Sequence, residues 1–262
     1  MFDAVNLPVN EITTEILRNY LADYKNNSNA GMVTIDNMRR TLSSFFAWLE
    51  NEDYIVKSPV RRIHKVKTTR RVKETLTDGN LEKLRDTCSN VRDLAILELL
   101  ISTGMRVGEL TRLNISDMNF QERSCIVLGK GNSEREVYFS AKSKMYIEKY
   151  LETRTDDNEA LFVSLIKPYN RLGISGIEIA IRNLGKKANI NKVHPYKFRI
   201  TMATMAIDKG MPIEQVHKLL GHIKIDTTME YAMVNQNNVK NSHRKYITCL
   251  LYTSPSPRDL ST

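Results

Sequence analysis

The run Gly221-His222-Ile223-Lys224-Ile225-Asp226-Thr227-Thr228-Met229-Glu230-Tyr231 places a histidine nine positions before a tyrosine. A phenolic oxygen is poorly suited to hydrolysis. It suits reversible phosphoryl transfer, because the phosphodiester-like link it forms stores the energy of the bond it replaces. Tyr231 in that role needs cations around the phosphate, and four other residues could supply them. Arg106, in Ser102-Thr103-Gly104-Met105-Arg106-Val107-Gly108-Glu109-Leu110, opens a helix, where the dipole disfavours a cation. A phosphate contact or a salt bridge to Glu109 would each explain it. Lys130 sits among the turn residues Gly129-Lys130-Gly131-Asn132-Ser133, whose glycines let backbone approach a ligand; a solvated turn lysine fits the same pattern. Arg199 opens a helix with core-like neighbours and needs an anionic partner there. His222 could donate to a phosphate oxygen or cap the preceding helix.

Mostly helical elements must position these residues. Ile12 to Tyr24 and the segment after Thr34, with Ile35, Met38, Leu42, Phe45, Phe46 and Leu49 at helical spacing, form a small helical domain. Thr77 caps a helix reaching about Cys88. Val91 to Ser102, nearly all apolar, reads as a buried central helix stopped at Gly104. Cys125-Ile126-Val127-Leu128 and Glu136-Val137-Tyr138-Phe139 flank the glycine-rich turn as a β-hairpin. Helical patterns resume over 141–152, 175–187, 196–209, 213–220 and 237–246. The fold class expected is mainly α: a small helical domain, and a larger, mostly α domain with a small antiparallel β-sheet. No internal repeat is present.

The 262 residues carry a formal charge of +9 and a pI near 9.4, which points to a polyanionic partner. The charge is concentrated. Lys57, Arg61, Arg62, Lys65, Lys67, Arg70, Arg71 and Lys73 crowd a stretch without an acidic residue, as a solvated linker or a segment crossing DNA phosphates would. Cys88, Cys125 and Cys249 form no CxxC pair, so neither a zinc site nor a disulfide framework is indicated. No apolar run is long enough to span a membrane and no signal-peptide pattern follows Met1. The sequence reads as a soluble cytoplasmic protein without a membrane partner.

In order and spacing, Arg106, Lys130, Arg199, His222 and Tyr231 resemble the signature of the tyrosine recombinases, or phage integrase family. The gaps are 24, 69, 23 and nine residues, and the words TGMRVGEL, GKGNSEREV and LLGHIKIDTTMEYA match as well. The resemblance spans about Thr34 to Tyr246. It implies a core-DNA-binding domain over 1–58, a basic linker over 59–74 and a catalytic domain over 75–248. It implies that Arg106 and Arg199 clamp the scissile phosphate, Lys130 protonates the leaving 5′ oxygen, His222 donates to a phosphate oxygen, and Tyr231 attacks to give a 3′-phosphotyrosine, with no metal or other cofactor. The implied partners are double-stranded DNA and three further copies of the chain in a tetramer on paired sites, with an excisionase or host DNA-bending protein assisting at the nucleoid. The helix after Tyr231 either docks on a neighbouring protomer or packs on its own. IDKGMPIEQVHKLLGH and YAMVNQNNVKNSHRKYI look more like integrases of conjugative transposons than Xer dimer resolvases, implying integration and excision of a mobile element.

Two departures stand out. Family members usually carry His or Lys three residues before the second arginine, where this chain has Tyr196, with His194 two residues earlier. A phenol's ordinary pKa near 10 makes a poor base at neutral pH, so cleavage is expected to have weaker base assistance or to be reduced, which leaves a DNA-binding accessory protein as an alternative. The N-terminal domain also lacks room for its usual first helix, so a truncated start is expected. The tail 249–262 resembles a translated sequencing adapter and is expected to be foreign.

Overall fold

The computed structural model describes residues 6–66, 74–129, 134–221 and 228–229. The chain divides into two compact units, Met1–Arg71 and Val72–Thr262.

In the first unit, helix α1 (Thr14–Ser28) starts at Thr13, whose hydroxyl accepts from the Ile16 amide, and ends at Asn29 in the left-handed region. Helix α2 (Met32–Asn51) packs Phe46 and Leu49 against Leu17 of α1, Ile12 and Val60. The expected linker is folded at its start. Pro59–Arg62 forms a 3-10 turn with Val60 buried. Thr14 Oγ1 donates to Pro59 O at 2.7 Å and Arg18 Nη2 to Arg62 O at 3.1 Å. An apolar residue among cations gave the segment something to bury. Asp36, buried on α2, accepts from Arg39 Nε and Arg40 Nε, both at 2.9 Å, and from the Val66 amide at 3.2 Å. The bond from Arg39, helped by Arg40 and Val66, outweighs burial and brings its carboxyl down to about 2.

In the second unit, Thr77 caps α3 (Asp78–Thr87) and Asn90 caps α4 (Val91–Thr103). Ile96, Leu97, Leu99 and Leu100 of α4 are fully buried, and each such side chain contributes about 1.5–3 kcal/mol. Gly104 ends α4 at φ +59°, where a Cβ would lie 2.3 Å from Met202 Cε. A four-residue helix, α5 (Val107–Leu110), follows. The antiparallel sheet has the order β1 (Met118–Asn119), β2 (Ser124–Leu128), β3 (Glu134–Tyr138). Cys125 pairs with Val137, both facing the core. Helices α6 (Ala141–Glu152), α7 (Ile174–Lys187), α8 (Pro195–Asp208) and α9 (Ile213–Leu220) complete the unit. The central α4 packs mainly on α6 and α8. The segment before α3 is pinned to α8 where the Leu76 amide donates to Thr201 Oγ1 at 2.9 Å. The stretch 237–246 lies outside the described residues. No helix among the described residues is long and apolar enough to cross a membrane.

Candidate active site

Helix α9 ends at Gly221, left-handed at φ +59°, directly before His222. The last carbonyls of a helix have no partner within it and carry the negative end of its dipole. Here three successive ones each accept from a different arginine. Arg135 Nε donates to Leu219 O at 3.0 Å, Arg199 Nη2 to Leu220 O at 2.5 Å, and Arg106 Nη2 to Gly221 O at 3.0 Å. Arg199 also donates through Nη1 to Gly104 O at 2.8 Å, joining the C-terminal ends of α4 and α9. The two sequence-singled arginines, 93 positions apart in the chain, are thereby held on adjacent carbonyls.

Their surroundings differ. Arg199 is 2% exposed. The Arg106 side chain is 39% exposed and pairs with Glu109, Nη1 to Oε1 at 2.8 Å. Of the two explanations for a cation at that helix start, the salt bridge to Glu109 is present. The Arg106 amide also donates to Glu109 Oε2 at 2.8 Å, as a capping carboxylate requires. The buried anionic partner expected for Arg199 is supplied at least partly by helix-end carbonyls, whose partial negative charge does the same work.

Glu109 and Arg135 were not among the expected site residues. Glu109, 4% exposed, receives the Arg135 fork, Nη1 to Oε1 at 2.8 Å and Nη2 to Oε2 at 2.7 Å. Burial pushes the Glu109 carboxyl up, but the bonds from Arg135 and from the Arg106 amide and side chain prevail, holding it below its usual value. A sequence signal for Arg135 existed. It alternates with Val137 on the inward face of β3, and an inward strand arginine needs a partner.

Tyr196, in the first turn of α8, is 44% exposed, although Arg199 three residues on is buried. Its ring lies parallel to that of His194, with centroids 6.3 Å apart and planes 9° apart. Burial, then the charge of Lys197, lowers the His194 pKa. Thr228, three residues before Tyr231, is fully buried, its Oγ1 3.3 Å from His217 Nδ1 of α9. Lys130, His222 and Tyr231 lie outside the described residues, as do Lys67, Arg70, Arg71 and Lys73. Lys57, Arg61, Arg62 and Lys65 are exposed on the first unit. Among the described residues no group of three or more His, Cys, Asp or Glu is placed to hold a metal ion.

Residues 74–238 match the phage integrase family. Tyrosine recombinase XerC of Oceanobacillus iheyensis is 32% identical over 217 residues, covering 78% of this chain and 71% of that protein. The crystal structure of XerA recombinase is similar over 94% of this chain and 87% of its own, with 28% identity and a TM-score of 0.61. The integrase of transposon Tn1549, in complex with transposon right-end DNA, shares the fold at a TM-score of 0.76 and 18% identity, over 92% of this chain and 87% of that one. The ordered cations, the helix end on which two of them meet and these matches have one reading: the chain belongs to the phage integrase family of tyrosine recombinases, enzymes that break and rejoin DNA.

Proposed function

We propose that this chain exchanges strands of double-stranded DNA at specific sites through Tyr231. The phenolic oxygen releases its proton to solvent and attacks the scissile phosphorus, the bond to the 5′ oxygen breaks, and Lys130 gives that oxygen its proton. The 3′-phosphotyrosine is then attacked by the 5′-hydroxyl of the partner strand, which restores a phosphodiester and the phenol. Arg106 and Arg199 hold the non-bridging oxygens as charge builds on them, and His222 donates to one. The observation that carries this reading is the placement of both guanidiniums on the two carbonyls immediately before His222. Lys57, Arg61, Arg62, Lys65, Lys67, Arg70, Arg71 and Lys73 contact phosphates along the duplex, an interaction that weakens steeply with salt.

The strand exchange serves integration and excision of a mobile element, with four copies on two duplexes in the cytoplasm. Support comes from the segments around α9 and after Tyr231, which resemble conjugative-transposon integrases. Resolution of chromosome dimers is the second reading, favoured by the similarity to XerC. The test pairs duplexes carrying the DNA that flanks the encoding gene. Holliday junctions and recombinants with element ends joined are expected. Relaxation of supercoiled DNA without any junction would overturn strand exchange, and products confined to a chromosomal dimer-resolution site would favour the second reading.

Tyr196 stands where relatives usually have His or Lys. Tyr196→His is expected to retain or raise the rate of covalent complex formation on a nicked suicide duplex, because an imidazole with a pKa near 6.5 is the better proton acceptor at neutral pH. A fall of about tenfold or more at unchanged DNA affinity would show that the phenol has a specific role.

A further inference from the structure

Arg135, itself on β3, bonds to two other parts of the second unit that bear on the site. It lies on β3 five residues after Lys130, grips both oxygens of Glu109, and donates to Leu219 O, three residues before His222. A second feature is shaped around the same side chain. A Cβ at Gly221 would lie 2.9 Å from Arg135 Cδ and 3.1 Å from both Nε and Nη1. Gly221 is therefore needed for its left-handed φ and also for the space the Arg135 stem occupies. Arg135 further changes what Arg106 experiences. Glu109 faces two guanidiniums, so its negative charge is shared, and Arg106 keeps more positive field toward its exposed side than it would in an isolated ion pair.

We propose that Arg135 is a positioning residue for strand cleavage. It fixes the strand that follows Lys130 in the chain, the carboxylate that orients Arg106 and the helix end that leads into His222 in one register. The proposal rests on the strand-exchange reading above. A lysine cannot replace it, because three bonds in one plane need the rigid fork of a guanidinium. Loss of register by about 1 Å is enough to slow a positioned reaction by about 10²-fold.

The test uses the full chain with Arg135→Gln and Arg135→Lys, in two arms. In the first, hydrogen–deuterium exchange is followed without DNA. Faster exchange by about tenfold or more is expected in peptides covering 104–109 and 219–231, with the rates of α7 and the first unit unchanged. In the second, single-turnover adduct formation is measured on a nicked duplex of the gene-flanking DNA. At saturating DNA the rate is expected to fall about 10²-fold for both variants, with Kd within about threefold. Unaltered exchange at 104–109 and 219–231, or acceleration spread evenly over the second unit, would overturn the proposal. So would adduct formation at the unsubstituted rate in either variant. If the unsubstituted chain forms no adduct on any duplex, the strand-exchange reading fails instead, and the exchange arm still decides whether Arg135 holds these segments together.

Discussion

Tyr231→Phe removes one oxygen atom and is expected to abolish the covalent protein–DNA adduct while leaving DNA affinity within about threefold. The substitution takes away the proposed nucleophile and none of the charge. Arg106, Lys130, Arg199, His222 and the basic segment from Lys57 to Lys73 all remain, and phosphate contacts supply most of the affinity. Without a nucleophile the loss should exceed about 10⁴-fold, which on a denaturing gel means no band above background. Thr228, three residues before position 231, is buried beside His217 of α9, and the substitution leaves both residues in place. The phenylalanine variant is thus expected to fold normally and to compete with the unsubstituted chain for DNA. An adduct that forms within tenfold of the usual rate would mean that another residue attacks, and the role given to Tyr231 would be wrong.

The two arginines were legible in the sequence because each broke a local rule: a cation at a helix start, and a cation among core residues. Their actual partners were less so. Arg106 meets Glu109 three residues on, within local reach, but its bond to Gly221 O spans 115 positions. Arg135 reaches Leu219 O across 84 positions and Glu109 across 26, and no local spacing encodes such pairs. Its inward place on β3 was the available clue, hidden because Glu134 and Glu136 make the segment look like a solvated strand. Among the elements, the long helices followed from periodicity and, for α3, from the cap at Thr77, whereas the caps at Asn90 and Ser140 emerged only in the structure. The four-residue α5 and two-residue β1 carry too few residues to show a period. They exist because neighbours hold them: Glu109 between two arginines, and Met118 against Cys125. The start of the basic segment holds a 3-10 turn that its composition did not announce, for a related reason. Charge dominated its composition, yet one valine had a core to enter.

Arg199 joins two helix ends and, in the proposed mechanism, also clamps the phosphate; a substitution can separate the two roles. Its Nη1 and Nη2 bonds to Gly104 O and Leu220 O use two of the five N–H donors of a guanidinium and join the ends of α4 and α9. Hydrogen bonds from a charged donor contribute about 1.5–3 kcal/mol each, and a buried carbonyl left without its donor is penalised further. Arg199→Ala, which strands both carbonyls, is expected to destabilise the second unit by about 3 kcal/mol or more, read as a lowered urea midpoint. Arg199→Lys keeps the charge but cannot span both carbonyls in one plane, so its loss should be about 1.5–3 kcal/mol. The catalytic consequence should be larger than the structural one. A point charge in place of the fork forfeits directional donors to the phosphate, and adduct formation at saturating DNA should fall by about 10²–10³-fold at temperatures where the lysine variant stays folded. Lysine activity within about threefold of the unsubstituted chain, together with the expected loss of stability, would reduce Arg199 to a pin between two helix ends. The phosphate would then be held by Arg106 with His222 and Lys130. Because that outcome and the expected one predict similar urea curves and opposite kinetics, the pair of measurements decides between clamp and pin.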